Sequence, residues 1–209
     1  MPASEEMKSA LADVRRAYRL VWSYQRRILD IVALIAGEFE EHEFYVWETY
    51  PRDRPCGRLK DPTGKWAWDL LPLRQASFLY LQPDTDRHRP TAGQWMLEIV
   101  VETDNGFDDP ETGDEPDAAD FADAASTSSM IYLHGWLCTA SCERNWLNGV
   151  WHQGEWPEAD GIPVEHAAPP FKIVRRSFDV AELVDEIAVK EAVMKFKETL
   201  GTTLGIGCE

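Results

Sequence analysis

Ten positions near the start of the chain, Met7, Leu11, Val14, Tyr18, Val21, Gln25, Ile28, Val32, Ile35 and Phe39, recur at unbroken intervals of four and three residues, and nine of them are apolar. Only a helix places residues so spaced on one side. The seam therefore predicts a single long helix from about Ser4 to Glu41. Trp22, Leu29, Ile31 and Leu34 widen the stripe in its second half. A narrow seam suits contact with one other helix, and a wide one suits burial against a sheet. The first half is thus expected to reach a partner helix, with a homodimer as one form of it, and the second half to pack on the body. Gln25, the one polar member, is a residue type that can set register in such contacts.

From residue 42 the apolar period changes from helical to two. Phe44–Tyr50, Ser77–Gln82, Gln94–Glu102, Ser129–Leu137 and Phe171–Phe178 read as strands rich in aromatic and β-branched residues. Trp66–Leu73 contains a proline and reads as a short edge strand or an irregular segment. In the strand that begins at Gln94, the side with Trp95, Leu97, Ile99 and Val101 is wholly apolar, while Met96, Glu98, Val100 and Glu102 form a mixed side. Residues 143–170, rich in Trp, Gly and Pro, read as a long irregular connection. Asp179 with Glu182 three residues on resembles a capping box, which predicts a last helix over 179–201 closed by Gly201.

No strand–helix–strand alternation occurs between the helices. The expected fold is therefore α+β, a mostly antiparallel sheet of five or six strands flanked by a long N-terminal and a C-terminal helix. We read 1–209 as a single domain: helix 1–41, sheet 42–178 carrying an acidic loop at 102–123, and helix 179–201.

Charge excludes several functions. The chain has 21 Lys+Arg against 37 Asp+Glu, a net charge of −16. A field of that sign repels nucleic-acid phosphates and anionic lipid. No apolar run approaches the roughly 20 residues of a bilayer span. The acidic start lacks the basic region of a secretory leader, and four cysteines are too few for a disulfide scaffold. A cytoplasmic location is expected. Ten acids and no Lys or Arg lie between Glu102 and Asp123. Asp108, Asp109, Glu111, Asp114, Glu115 and Asp117 are expected to steer a basic protein partner, since opposite charge speeds encounter and enforces partner choice.

Trp146, Trp151 and Trp156 recur every five residues. They read chiefly as a lid over the core, and where exposed as the apolar centre of a partner contact. The function these features suggest is an acidic binding protein, of the inhibitor or immunity type, without cofactor or catalytic residues. A rival reading is a metal-dependent hydrolase or nuclease using Asp69, Glu98 and Glu102, which lacks the lysine such sites add. A further rival is an architectural homodimer built on the helical seam. His134, Cys138, Cys142 and His152 have zinc-compatible donors in a spacing foreign to structural zinc sites, and ordinary core filling is the expectation.

Overall fold

The computed structural model describes residues 4–49, 73–106, 119 and 121–207. Helix α1 spans Glu5–Gly37, and α2 spans Glu186–Leu204. Between them lie strands β1 (Glu43–Thr49), β2 (Gln75–Leu81), β3 (Trp95–Glu102), β4 (Met130–Cys138), β5 (Val164–Ala167) and β6 (Pro170–Asp179). They form one six-stranded sheet in the order β1-β2-β3-β4-β6-β5. Every pairing is antiparallel. The α+β architecture expected from the sequence is what the chain adopts. The expected strand at Trp66–Leu73 lies largely outside the described residues. Among the described residues no helix is long and apolar enough to cross a membrane.

Strand parity divides the core into two layers. Odd positions of β3 and β4, such as Leu97, Ile99, Ile131 and Leu133, face the helices and pack with Ile28, Ile31, Val32 and Ile35 of α1 and Val193, Phe196 and Leu200 of α2. Even positions of β3 and β4, with the odd positions paired to them on β2 and β6, face away from the helices. There Leu79, Met96, Trp136, Phe171 and Ile173 pack under Trp146, Val150 and Trp151. The side read as mixed is thus covered too, by the segment after β4.

Helix α1 behaves as two halves. Ser4 caps it by accepting from the Met7 N–H, and Glu5 and Glu6 favour its N-terminal dipole. Its second half is buried, with Ile28 and Ile31 at 0% exposure, whereas Val14 is 49% and Tyr18 75% exposed. The helix ends at Gly37, short of the expected Glu41, because the chain must turn to drop Phe39 into the core. Phe39 meets Trp95 and Phe196 edge-on, with centroids 6.0 and 6.1 Å away.

The C-terminal helix departs from expectation. Asp179 pairs with Met130 as the last residue of β6, and its side chain caps only the single 3₁₀ turn Val180–Glu182. That turn carries the buried Leu183 around the end of the sheet. Asp185 then caps α2 by accepting from the Ala188 N–H. Gly201 is helical, and the helix closes at Gly205, whose φ of 70° is the left-handed conformation glycine adopts without penalty. Strand β5 was hidden in the irregular stretch because four residues are too few to show a period.

His42 follows α1 and lies against the Trp95 indole, with ring centroids 4.1 Å apart. Burial lowers its pKa to about 4, against a backbone hydrogen bond with Trp95 that pulls the other way. The folded protein therefore holds the ring neutral, and the unfolded chain takes up a proton below the ordinary value. Stability from this site is full above about pH 6.5 and falls as the pH drops toward 4. Thermal melts across that range should show His42→Phe losing less stability on acidification than the natural chain. Parallel curves for the two proteins would refute the assignment.

Candidate functional site

The register of the sheet sets a polar row into the non-helical face. Glu98 on β3 faces His134 on β4, and His134 faces Arg175 on β6. One step along, Ser77 faces Val100, Val100 faces Tyr132, and Tyr132 faces Ser177. One step further, Gln75 faces Glu102. All these side chains share one face because alternate positions of a strand, and the residues paired with them on its neighbours, do.

Glu98 is fully buried, at 0% exposure. Its carboxylate accepts three indole N–H bonds. Trp151 donates to Oε1 at 2.7 Å, and Trp136 and Trp156 donate to Oε2 at 2.7 and 3.1 Å. The three rings stand edge to face, Trp156 lying 5.7 Å from Trp136 and 5.6 Å from Trp151 at nearly perpendicular planes. Burying a carboxylate costs several kcal/mol in order of magnitude. Each charge-assisted hydrogen bond returns about 1.5–3 kcal/mol. Three such bonds make the site tolerable, and indoles supply them because they donate without needing an acceptor of their own.

The local chain explains how two of those indoles arrive. Asn145 caps a five-residue π-helical turn, Trp146–Val150, by accepting from the Leu147 and Asn148 N–H groups. A 3₁₀ turn, Trp151–Gln153, follows directly. Trp146 points into the core, fully buried and 5.1 Å from Phe171 in an edge contact. Trp151 and Trp156 turn inward onto Glu98. Trp156 remains 38% exposed.

His134 Nδ1 lies 3.5 Å from Glu98 Oε2, near enough for attraction but without a hydrogen bond. Burial lowers its pKa and outweighs the carboxylate, which pulls upward, so the ring is neutral near pH 7. Tyr132 donates to Glu102 Oε2 at 2.8 Å. Burial, and then this bond, push the phenol well above its ordinary value, so it stays a donor. Arg175 stands over the Tyr132 ring at 5.3 Å, with Nε 3.3 Å from Asp160 Oδ1 and a second donor on the Glu158 carbonyl.

These groups enclose a cleft of about 300 Å³. Its walls include Trp151 and Trp156, and its polar lining is Gln75, Ser77, Glu102, Tyr132, His134 and Arg175. Among the described residues the cleft is lined by one carboxylate, Glu102, and one guanidinium, Arg175, which Asp160 engages from outside the lining. The cleft is therefore an aromatic-walled opening with Glu102 as its acidic group and Arg175 as its basic one.

The candidates read from the sequence distribute as follows. Asp108, Asp109, Glu111, Asp114, Glu115 and Asp117 lie outside the described residues, as does Asp69. Trp146 is buried in the core, which fits the lid reading and leaves it out of any contact surface, while Trp151 and Trp156 line the cleft. Glu98 and Glu102 are not brought together: four residues of strand separate them by about 13 Å, and both oxygens of Glu98 are engaged by indoles. His134 and Cys138 are likewise four apart on β4. Among the described residues no three His, Cys, Asp or Glu side chains gather to hold a metal ion. Arg175, Tyr132 and Gln75 were missed, since nothing local marks them. The available signal was Glu98 itself, a lone acid inside an apolar strand in a chain with nine tryptophans.

A family model described as PM0109 matches residues 4–205, and the chain belongs to that family. A relative from Pasteurella multocida (strain Pm70), named Uncharacterized protein PM0109, is 24% identical over 203 residues, covering 95% of this chain and 96% of its own length. No solved structure matches the chain.

Proposed function

We propose that this member of the PM0109 family is a binding protein that receives a cationic side chain of a basic protein partner in the cleft beside Glu98. The observation that carries the reading is that Glu102, Trp151 and Trp156 line one opening, whose guanidinium, Arg175, is engaged by Asp160. Aromatic faces and a carboxylate together favour a desolvated ammonium or guanidinium. The volume is at the lower end for ligand sites, which suits one long side chain more than a large cofactor. The net charge of −16, concentrated in the sequence between Glu102 and Asp123, would draw such a partner from a distance. The hydrolase reading gains no support from the separation of Glu98 and Glu102.

The test is calorimetric titration with a short arginine-rich peptide and an acidic peptide of equal length, at low and moderate salt. The basic peptide should bind and the acidic one should not. Binding should weaken as salt rises. Glu102→Gln should weaken it about fivefold to tenfold, a change of roughly 1–1.4 kcal/mol. Binding that ignores Glu102→Gln, or no binding at all, would sink the proposal.

A further inference from the structure

The first half of α1 carries an apolar face that the body does not cover. Met7, Leu11, Val14, Tyr18 and Val21 are 54, 49, 49, 75 and 39% exposed, and they are the same residues that recur at intervals of four and three. Scattered exposed apolar side chains need no explanation, but five in a continuous heptad row form a seam. The same row becomes fully buried from Ile28 onward, so one helix carries both a covered and an uncovered part of a single pattern.

Charge along the helix points to its occupant. The first turns hold Glu5, Glu6 and Asp13 with only Lys8 among them. From Arg15 to Arg27 the helix holds five arginines and no acid. Two copies lying parallel would stack acid on acid and arginine on arginine. Two copies lying antiparallel place the acidic end of each along the basic stretch of the other, and also oppose their helix dipoles. With Leu11 meeting Val21 and Val14 meeting Tyr18, Met7 meets Gln25, and Glu5 and Glu6 fall level with Arg27 and Arg26 of the other copy.

We propose that the exposed half of α1 is a homodimer contact, an antiparallel two-helix coil formed with a second copy of this chain through Met7, Leu11, Val14, Tyr18 and Val21. The cleft is separate from it, so the two readings stand or fall independently.

The test uses the full chain. Light scattering on a sizing column should give twice the mass of the 23.8 kDa chain. The double variant Val14→Asp, Tyr18→Asp should weaken dimerisation at least a hundredfold while keeping helical circular dichroism and a cooperative melt, because neither residue touches the core. Spin labels at Ser9, on the exposed face, report direction. An antiparallel pair offsets the two labels by about 21 Å along the axis, whereas a parallel in-register pair leaves them level and so closer together. A monomer at all concentrations, a dimer indifferent to the double variant, or the short label distance would each overturn the proposal.

Discussion

Replacing Glu98 by Ala is expected to lower the unfolding free energy by about 3–5 kcal/mol. The loss is not that of one attractive contact. Trp136 and Trp151 are buried at 0 and 3% exposure, so their N–H groups would be left without acceptor or water. An unsatisfied buried donor costs about 1–3 kcal/mol. Trp156 is half-open and can turn its N–H to solvent, so it adds less. At this chain length the change corresponds to a fall in Tm of roughly 6–20 °C. Glu98→Leu should be no better, since it fills the space but offers no lone pair. Glu98→Gln should lie between, because one amide oxygen still accepts while its NH2 faces an indole donor. Urea unfolding followed by tryptophan emission measures all three. A loss under about 1 kcal/mol in Glu98→Ala would mean that the indoles find other partners and that the carboxylate does not organise this face.

The part of the fold legible in the sequence is the part set by period. The seam from Met7 to Phe39 and the alternation around Trp95–Glu102 are repeated over many residues, so burial on one side is the only way to satisfy them. The change of character along α1 could be read in part: Ile31 and Leu34 widen the stripe where it is covered, whereas Trp22 and Leu29, read into the same stripe, are 62 and 46% exposed. The site was not legible for the opposite reason. Glu98, His134 and Arg175 are neighbours through the registers of β3 with β4 and β4 with β6, and no local pattern encodes which residue of one strand faces which of another. Trp151 and Trp156 are placed by a π turn and a 3₁₀ turn that no simple period announces. Trp146 points into the core while the other two close on Glu98. The α2 boundary failed through competition between two equivalent caps, Asp179 and Asp185; ladder pairing to Met130 claimed the first.

The second large effect is expected at Gly154, and it separates the position of the tryptophan segment from its chemistry. Gly154 has φ −80° and ψ 155°, extended backbone that alanine adopts freely. A methyl group there would lie 2.5 and 2.6 Å from Cζ3 and Cη2 of Trp136. That indole is fully buried, tied to Glu98, and cannot swing aside without giving up its hydrogen bond. Gly154→Ala should therefore push the Trp151–Trp156 segment off the sheet at a cost of about 1–3 kcal/mol, the range for overpacking a dense core. The displaced indoles should move the Nε1–H resonances of Trp151 and Trp156 and weaken cationic-peptide binding, while the helical signal of α1 and α2 is kept. The cause can be isolated by pairing the change with Trp136→Phe. Phenylalanine lacks the outer ring atoms that meet the new methyl, so the double variant should be less destabilised than the two single effects added together, by at least about 1 kcal/mol. Strict additivity would show that Gly154 is needed for something other than its closeness to Trp136, and that the segment bearing Trp151 and Trp156 is held in place from elsewhere.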